Sequence, residues 1–185
     1  MTDDQGKKRL RLAYSKGGWV RFISHLDLLR LFHRAVSRGG IPVLYSSGFS
    51  PHPRISFAPP LKVGMAGDNE LLDIRLTDPV DPEKAARELN RALPDGISVV
   101  KATSIPVDAP SLGKVIREAE YLVLLPDGYP LDQQQISAFL SAPDVPVRIE
   151  KKGKLREFNS RQGVFELRLS GTELLMRLSV KTNAR

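Results

Sequence analysis

Polar and apolar positions alternate through residues 9–14. Leu10, Leu12 and Tyr14 fall on one side, and Arg9, Arg11 and Ala13 on the other. A period of two predicts a strand with one buried face. Gly17-Gly18 breaks it, and "WVRFI" reads as a short continuation or as the approach to a helix. Ser24 and Asp27 then have the spacing of a capping box. From there the period becomes 3.6. Leu28, Leu29, Phe32, Ala35 and Val36 share one helical face, Arg30, Arg34 and Arg38 line the opposite side, and Gly39-Gly40 stops the helix.

"IPVLYS" reads as a strand with proline near its start, where an edge or initial position allows it. The proline-rich "YSSGFSPHPRISFAPPLKVG" follows, and then the strand "LLDIRLTD". Pro82 opens a second helix, "PEKAARELNRAL", at a favourable first-turn position. "ISVVKATSI" is a further strand. The order is strand, helix, strand, strand, helix, strand, that of a ferredoxin-like βαββαβ domain over residues 1–105.

Residues 106–117, with "PVDAPSLG", read as a linker. Residues 118–185 read as strand "EAEYLVLL", helix "PLDQQQISAFLSA" and strand "VPVRIEKK", then the hairpin "GVFELRLS"–"ELLMRLSV". This is a smaller, incomplete α+β relative of the first domain, ending at "VKTNAR" without a closing helix, as a truncated copy would. The fold class is α+β throughout.

Charge changes the picture more than composition does. At 41% apolar and 26% charged, the chain reads as a soluble globular protein. No apolar run approaches the ~20 residues of a membrane helix, and the polar start lacks a secretory core, so a cytoplasmic protein without a membrane partner is expected. The net charge of +7 is unevenly spread. Residues 1–64 hold eleven Lys/Arg against three Asp/Glu, residues 65–150 eight against fifteen, and residues 151–185 nine against three. Two basic blocks flank an acidic middle. Brought together, they would present a positive face to polyanions.

Catalytic chemistry finds little support in the residue pattern. The absence of cysteine excludes thiol nucleophiles, disulfides and a cysteine-bound iron–sulfur cluster in this chain. His25 and His33 stand eight apart, about 80° round a helix, and are poorly placed to share a metal. No metal is expected. His52, between Pro51 and Pro53 and beside Arg54, is held on a stiff segment that suits anion contact. As acid–base residues, His52 or His25 would serve an RNA endonuclease or RNA-modifying enzyme.

The leading reading is binding. Arg30, Arg34, His52, Arg54 and Lys62 are the candidate phosphate or anion ligands, with Phe49 as a stacking residue. Lys7, Lys8, Arg9 and Arg11 extend the patch. Basic groups among aromatics supply phosphate attraction and base stacking for RNA. Trp19, Phe22, Tyr45 and Phe49 lie near these cations in sequence and could supply the stacking surfaces, while each taken alone fits better in the core. Phe49, Ile55 and Phe57 are also apolar enough to pin the proline-rich stretch to the core. A second basic stretch, "RIEKKGKLREFNSRQG", carries Arg148, Lys151, Lys152, Lys154, Arg156 and Arg161 in a loop between two strands.

"FISHLDLLR" (22–30), "GIPVLYSSGFSPHPRISFAPPL" (40–61) and "LDIRLTDPVD" (72–81) closely resemble the radical-SAM-linked domain of unknown function found in bacteria. Its members stand alone or form the C-terminal part of larger radical SAM proteins, often with a cobalamin-binding-type domain. The resemblance implies an accessory module that presents an RNA or protein substrate to a radical SAM partner. The iron–sulfur cluster and S-adenosylmethionine would belong to that partner, and no cofactor to this chain. A pure protein-interaction domain docking onto the radical SAM protein is the remaining alternative. The order "H…YS.G…P" is also similar to that of CRISPR repeat-RNA processing endonucleases, which use tandem ferredoxin-like domains.

Overall fold

The computed structural model describes residues 9–151 and 153–180, with Lys151 described by its backbone. The chain is α+β and divides after Val115 into two compact units. Among the described residues, no helix is long and apolar enough to cross a membrane. Lys7, Lys8, Lys152 and the terminal "KTNAR" lie outside the described residues.

In the first unit, β1 (Arg9–Lys16) is followed by a 3-10 turn over Gly18–Phe22, so "WVRFI" is neither strand nor α-helix. Next come α1 (His25–Arg38), β2 (Ile55–Phe57), β3 (Gly67–Arg75), α2 (Pro82–Ala92), β4 (Ile97–Ile105) and a short α3 (Leu112–Val115). The sheet order is β2-β3-β1-β4, with every neighbour antiparallel. Leu10, Leu12, Leu72 and Ile74 meet Phe32, Val36 and Leu89 in a core closed to solvent, with Ala35 and Ala85 letting the helices approach.

Helix ends follow their sequence signals with one change. The Ser24 hydroxyl accepts from the Asp27 N–H at 3.2 Å. The Asp27 carboxylate, instead of reaching back to the backbone, accepts from the Ser24 hydroxyl at 2.7 Å and from Arg30 at 3.1 Å. These bonds, the hydroxyl first, hold Asp27 below the usual carboxylate range. Gly40 takes φ 61° just past the helix, where a side chain would be strained.

Two expectations change here. "IPVLYS" is not a ladder strand. Pro42 removes a donor, and the segment makes only the isolated bridges Val43↔Leu76 and Tyr45↔Pro53. The ladder strand, β2, lies inside the proline-rich stretch. Val43 and Ile55–Phe57 thus share one edge of β3, and the residues between them leave that edge as a loop. The loop closes at its base through Ser46 N–H to the His52 carbonyl (2.9 Å) and Arg54 N–H to the Leu44 carbonyl (2.8 Å).

The second change concerns β1, which is buried on both faces. Arg9 and Ala13, opposite the core side, are buried as well. The segment expected as a linker supplies part of the reason. Residues up to Val115 belong to the first unit, and Arg9 donates to the carbonyls of Ala109 (2.6 Å) and Pro110 (3.0 Å). Arg9 and Arg11 also face Asp73 of β3. Arg11 grips its two oxygens at 2.8 and 3.0 Å, while Arg9 Nε lies 3.4 Å away without hydrogen-bond alignment.

The second unit contains β5 (Glu118–Leu124), α4 (Gln133–Ser141), β6 (Pro146–Lys151), β7 (Lys154–Asn159), β8 (Val164–Ser170) and β9 (Glu173–Ser179). The Asp132/Gln135 capping box starts α4. Strands β5, β9 and β8 form one antiparallel sheet, in that order. The strand expected at "VPVRIEKK" is β6, but the basic stretch after it, expected as a loop, forms a second strand, β7, so the two make a regular ribbon with Gly153 at φ 70° in its turn. Both units run strand, helix, edge strand, central strand, with the central strand between the other two. In each, the segment between helix and edge strand is enlarged: a loop in the first unit, a ribbon in the second.

Candidate nucleic-acid interface

The excursion from the β2 edge forms a loop with a rigid base and an open tip. The His52 N–H donates to Ser46 Oγ at 3.1 Å, and His52 Nδ1 lies 3.0 Å from the same oxygen. With its oxygen accepting from the backbone, the Ser46 hydroxyl can donate to Nδ1. Pro53 is buried. These constraints fix the loop path at little entropic cost. Phe49 stands at the tip, fully exposed, and is not pinned to the core. Ile55 and Phe57 are. The Phe57 ring meets Tyr14, His25 and Phe32 edge-on, with centroids 5.3–6.3 Å apart.

The loop docks against α1 through two imidazoles. His33 and His52 stack with centroids 6.1 Å apart and planes 23° apart. This contact brings the loop, with Phe49 and Arg54, against the helix that carries Arg30 and Arg34. Arg30, Arg34 and Arg54 are exposed. Arg30 is engaged with Asp27. Among the described residues, no carboxylate pairs with Arg34, Arg38, Arg54 or Lys62. From Leu28 to Gly67 the chain holds five Lys/Arg and no Asp or Glu. That acid-free span supplies both the helix surface and the loop.

Lys62 belongs to a different part of the surface. It starts a turn closed by Met65 N–H to its carbonyl at 3.1 Å, and Gly64 N–H in that turn bonds the Arg21 carbonyl at 2.9 Å. The turn lies by Phe22, whose ring is 6.3 Å from Trp19 and 4.8 Å from the Arg21 guanidinium. Trp19 is 89% exposed, and Phe22, Leu26 and Val63 are also exposed. Trp19, Phe22 and Tyr45, expected in the core when taken singly, are therefore surface rings. Alternation could not reveal this, because all three lie in segments without a ladder. The start of α1, at His25, and His33 are eight residues apart, about 12 Å along the axis. The candidate residues thus form two groups along the helix.

Protonation of His33 is disfavoured. Burial lowers its pKa first, and the charge of His52 lowers it further. Its Nε2 is buried without a partner. A base whose folded pKa lies below its unfolded value binds fewer protons when folded. Stability then rises with pH up to about 6.5, the ordinary histidine value, and is reduced below it. The melting temperature is expected to fall as pH drops from 7 to 5, with His33→Gln flattening that part of the fall. A pH series of thermal melts checks it.

Sequence reasoning did not find one polar cluster. Tyr14, Lys16 and Glu70 line a cleft with His25 and Phe57. Burial lowers the Lys16 pKa, and raises those of Glu70 and Tyr14, so both ends of the Lys16–Glu70 pair are pushed toward neutrality. The cleft measures about 10 Å³, room for about one water molecule and not for a substrate. His25 sits here, its Nδ1 buried without a partner. The signal was present in Lys16 and Glu70, but nothing in the pattern says that a lysine ending a strand is buried. Among the described residues, no three His, Asp or Glu side chains gather as a metal site.

The family model described as "Uncharacterized protein conserved in bacteria (DUF2344)" matches residues 9–185. The chain belongs to this family. No curated protein matches it. The DUF2344 match covers both units, so the loop on α1 and the ribbon of the second unit both lie within the family's extent.

Proposed function

We propose that this protein is a non-catalytic accessory module that binds RNA and serves a radical SAM enzyme. The observation that carries the binding reading is the acid-free surface: Arg34 and Arg54 without carboxylate partners, beside an exposed Phe49 on a braced loop. Cations placed without counter-charges attract phosphate, and an exposed ring on a rigid loop offers a stacking platform. The radical SAM partnership rests on the motif resemblance at residues 22–81. With no cysteine, this chain has no thiolates for the iron–sulfur cluster, which stays with the partner. The first unit is read as ferredoxin-like on its element order and its β2-β3-β1-β4 sheet.

Filter binding of RNA across a salt series tests the reading. A linear fall of log affinity against log salt is expected. Affinity independent of salt, or no binding at low salt, overturns it.

Protein docking is favoured by a separate observation, the exposed Trp19, Phe22, Leu26 and Val63 near the start of α1. This group fits the face that meets the enzyme partner. The enzymatic alternative rests on His52 with Ser46. Incubation with total RNA distinguishes it: cleavage lost in His52→Ala supports the enzyme, and intact but bound RNA supports the module.

A further inference from the structure

The β6–β7 ribbon is a separate two-stranded sheet, and most of its residues are exposed. Two-stranded hairpins are marginal in water unless something covers a face. Here Ile149 and Phe158, each 44% exposed, and Leu155, at 69%, remain open. The register sorts the ribbon into two unlike faces. Val147 pairs with Phe158, Ile149 with Arg156 and Lys151 with Lys154, so these positions share one face, which has no acidic residue. Arg148 pairs with Glu157 and Glu150 with Leu155 on the other. There the Arg148 guanidinium bonds the Glu157 carboxylate at 2.7 Å. The acids are confined to one face. Lys154 and Arg156 on the other have no carboxylate partner among the described residues.

We propose that this acid-free ribbon face is a second RNA contact, taking an unpaired strand against Ile149, Lys154, Arg156 and Phe158. It rests on the RNA-binding reading and adds a site to it. Charge complementarity selects a polyanion. The exposed ring and aliphatic side chains select bases that can stack, which single strands offer and duplexes hide. The deep, narrow major groove of A-form RNA does not admit side chains. The position of the ribbon supports the same assignment. It occupies the helix-to-edge-strand connection that, in the first unit, is enlarged into the Phe49 loop.

The test uses the full chain with Lys154→Ala and Arg156→Ala together, and probes a polyuridine oligonucleotide and an RNA duplex of equal length. Far-UV circular dichroism and melting confirm that the exposed substitutions leave the fold intact. Single-strand affinity is expected to fall about tenfold, with the salt slope shallower by about 1.4 for two lost phosphate contacts. Duplex binding should change less. Crosslinking of the wild-type chain to the oligonucleotide should mark a peptide containing Phe158. If the wild type binds RNA but this variant keeps its affinity and slope, the ribbon proposal fails and the RNA reading stands. An equal loss for duplex and single strand overturns the unpaired-strand assignment. No RNA binding by the wild type sinks both.

Discussion

Replacing Asp73 with alanine is expected to destabilise the first unit by about 3–5 kcal/mol, the usual cost of breaking a buried ion pair from one side. The Asp73 side chain is 4% exposed and meets two guanidiniums. Arg11 holds both oxygens with its fork, and Arg9 contacts Asp73 while reaching the carbonyls of residues 109 and 110. One carboxylate therefore ties β1 to β3 and helps anchor the segment that covers the outer sheet face. Its loss would strand two cations where water is scarce, Arg9 more than the 24%-exposed Arg11. Urea unfolding followed by circular dichroism measures the cost. Asp73→Asn, which keeps acceptor capacity without the charge, should fall between wild type and alanine. A loss below about 1 kcal/mol in Asp73→Ala would mean that the arginines find other partners and that the cluster is not what holds the sheet.

The largest functional effect is expected from Arg34→Ala with Arg54→Ala. Both side chains are exposed and free of carboxylates among the described residues, so the fold should tolerate their removal. RNA affinity at low salt should fall about tenfold or more, since charge-assisted bonds to phosphate are each worth on the order of 1 kcal/mol at an open surface. The salt slope should become shallower by about 1.4, at roughly 0.7 for each single-strand phosphate contact. The slope is the sharper readout, because loss of a general attractive surface and loss of two defined contacts differ there. Unchanged affinity and slope would remove these residues from the interface. Phe49→Ala in the same assay should weaken binding without altering the slope, because stacking releases no counterions.

Much of this architecture is legible in the chain because local rules and tertiary demands agree. The period of two in β1, the 3.6 period of α1 and the proline-and-acid start of α2 each name their element without help. The start of α1 follows from a Ser24 hydroxyl that satisfies its own first turn, and Pro82 opens α2 where its fixed φ suits. The cations Arg30, Arg34 and Arg54 were identified as surface groups by the same logic. Disagreement begins where an element depends on its neighbour. "IPVLYS" has strand composition, but the edge of β3 accepts it only at Val43 and then takes Ile55–Phe57. The proline-rich stretch hides that short strand because three residues are too few to show a period. The strand at β6 was legible. The basic stretch after it reads as a loop by charge, yet β7 pairs with β6 through backbone groups that side-chain composition does not report.

The acid-free span from Leu28 to Gly67 and the two basic blocks are properties of the chain alone. They make a cationic surface the expectation, and the structure leaves Arg34, Arg38, Arg54 and Lys62 of that span without a carboxylate partner among the described residues, while Arg30 pairs with Asp27. Which cations share that surface was decided by tertiary structure. The His33–His52 stack brings the Phe49 loop and Arg54 against the helix bearing Arg34. The turn at Gly64 holds Lys62 beside Phe22, near the other end of the same helix. Likewise, the side opposite Leu10 and Leu12 on β1 alternates as a solvent face should, yet Asp73 and the segment after Ile105 bury it. Periodicity records which way a side chain points from its own backbone. It carries no information about what another part of the chain later places there.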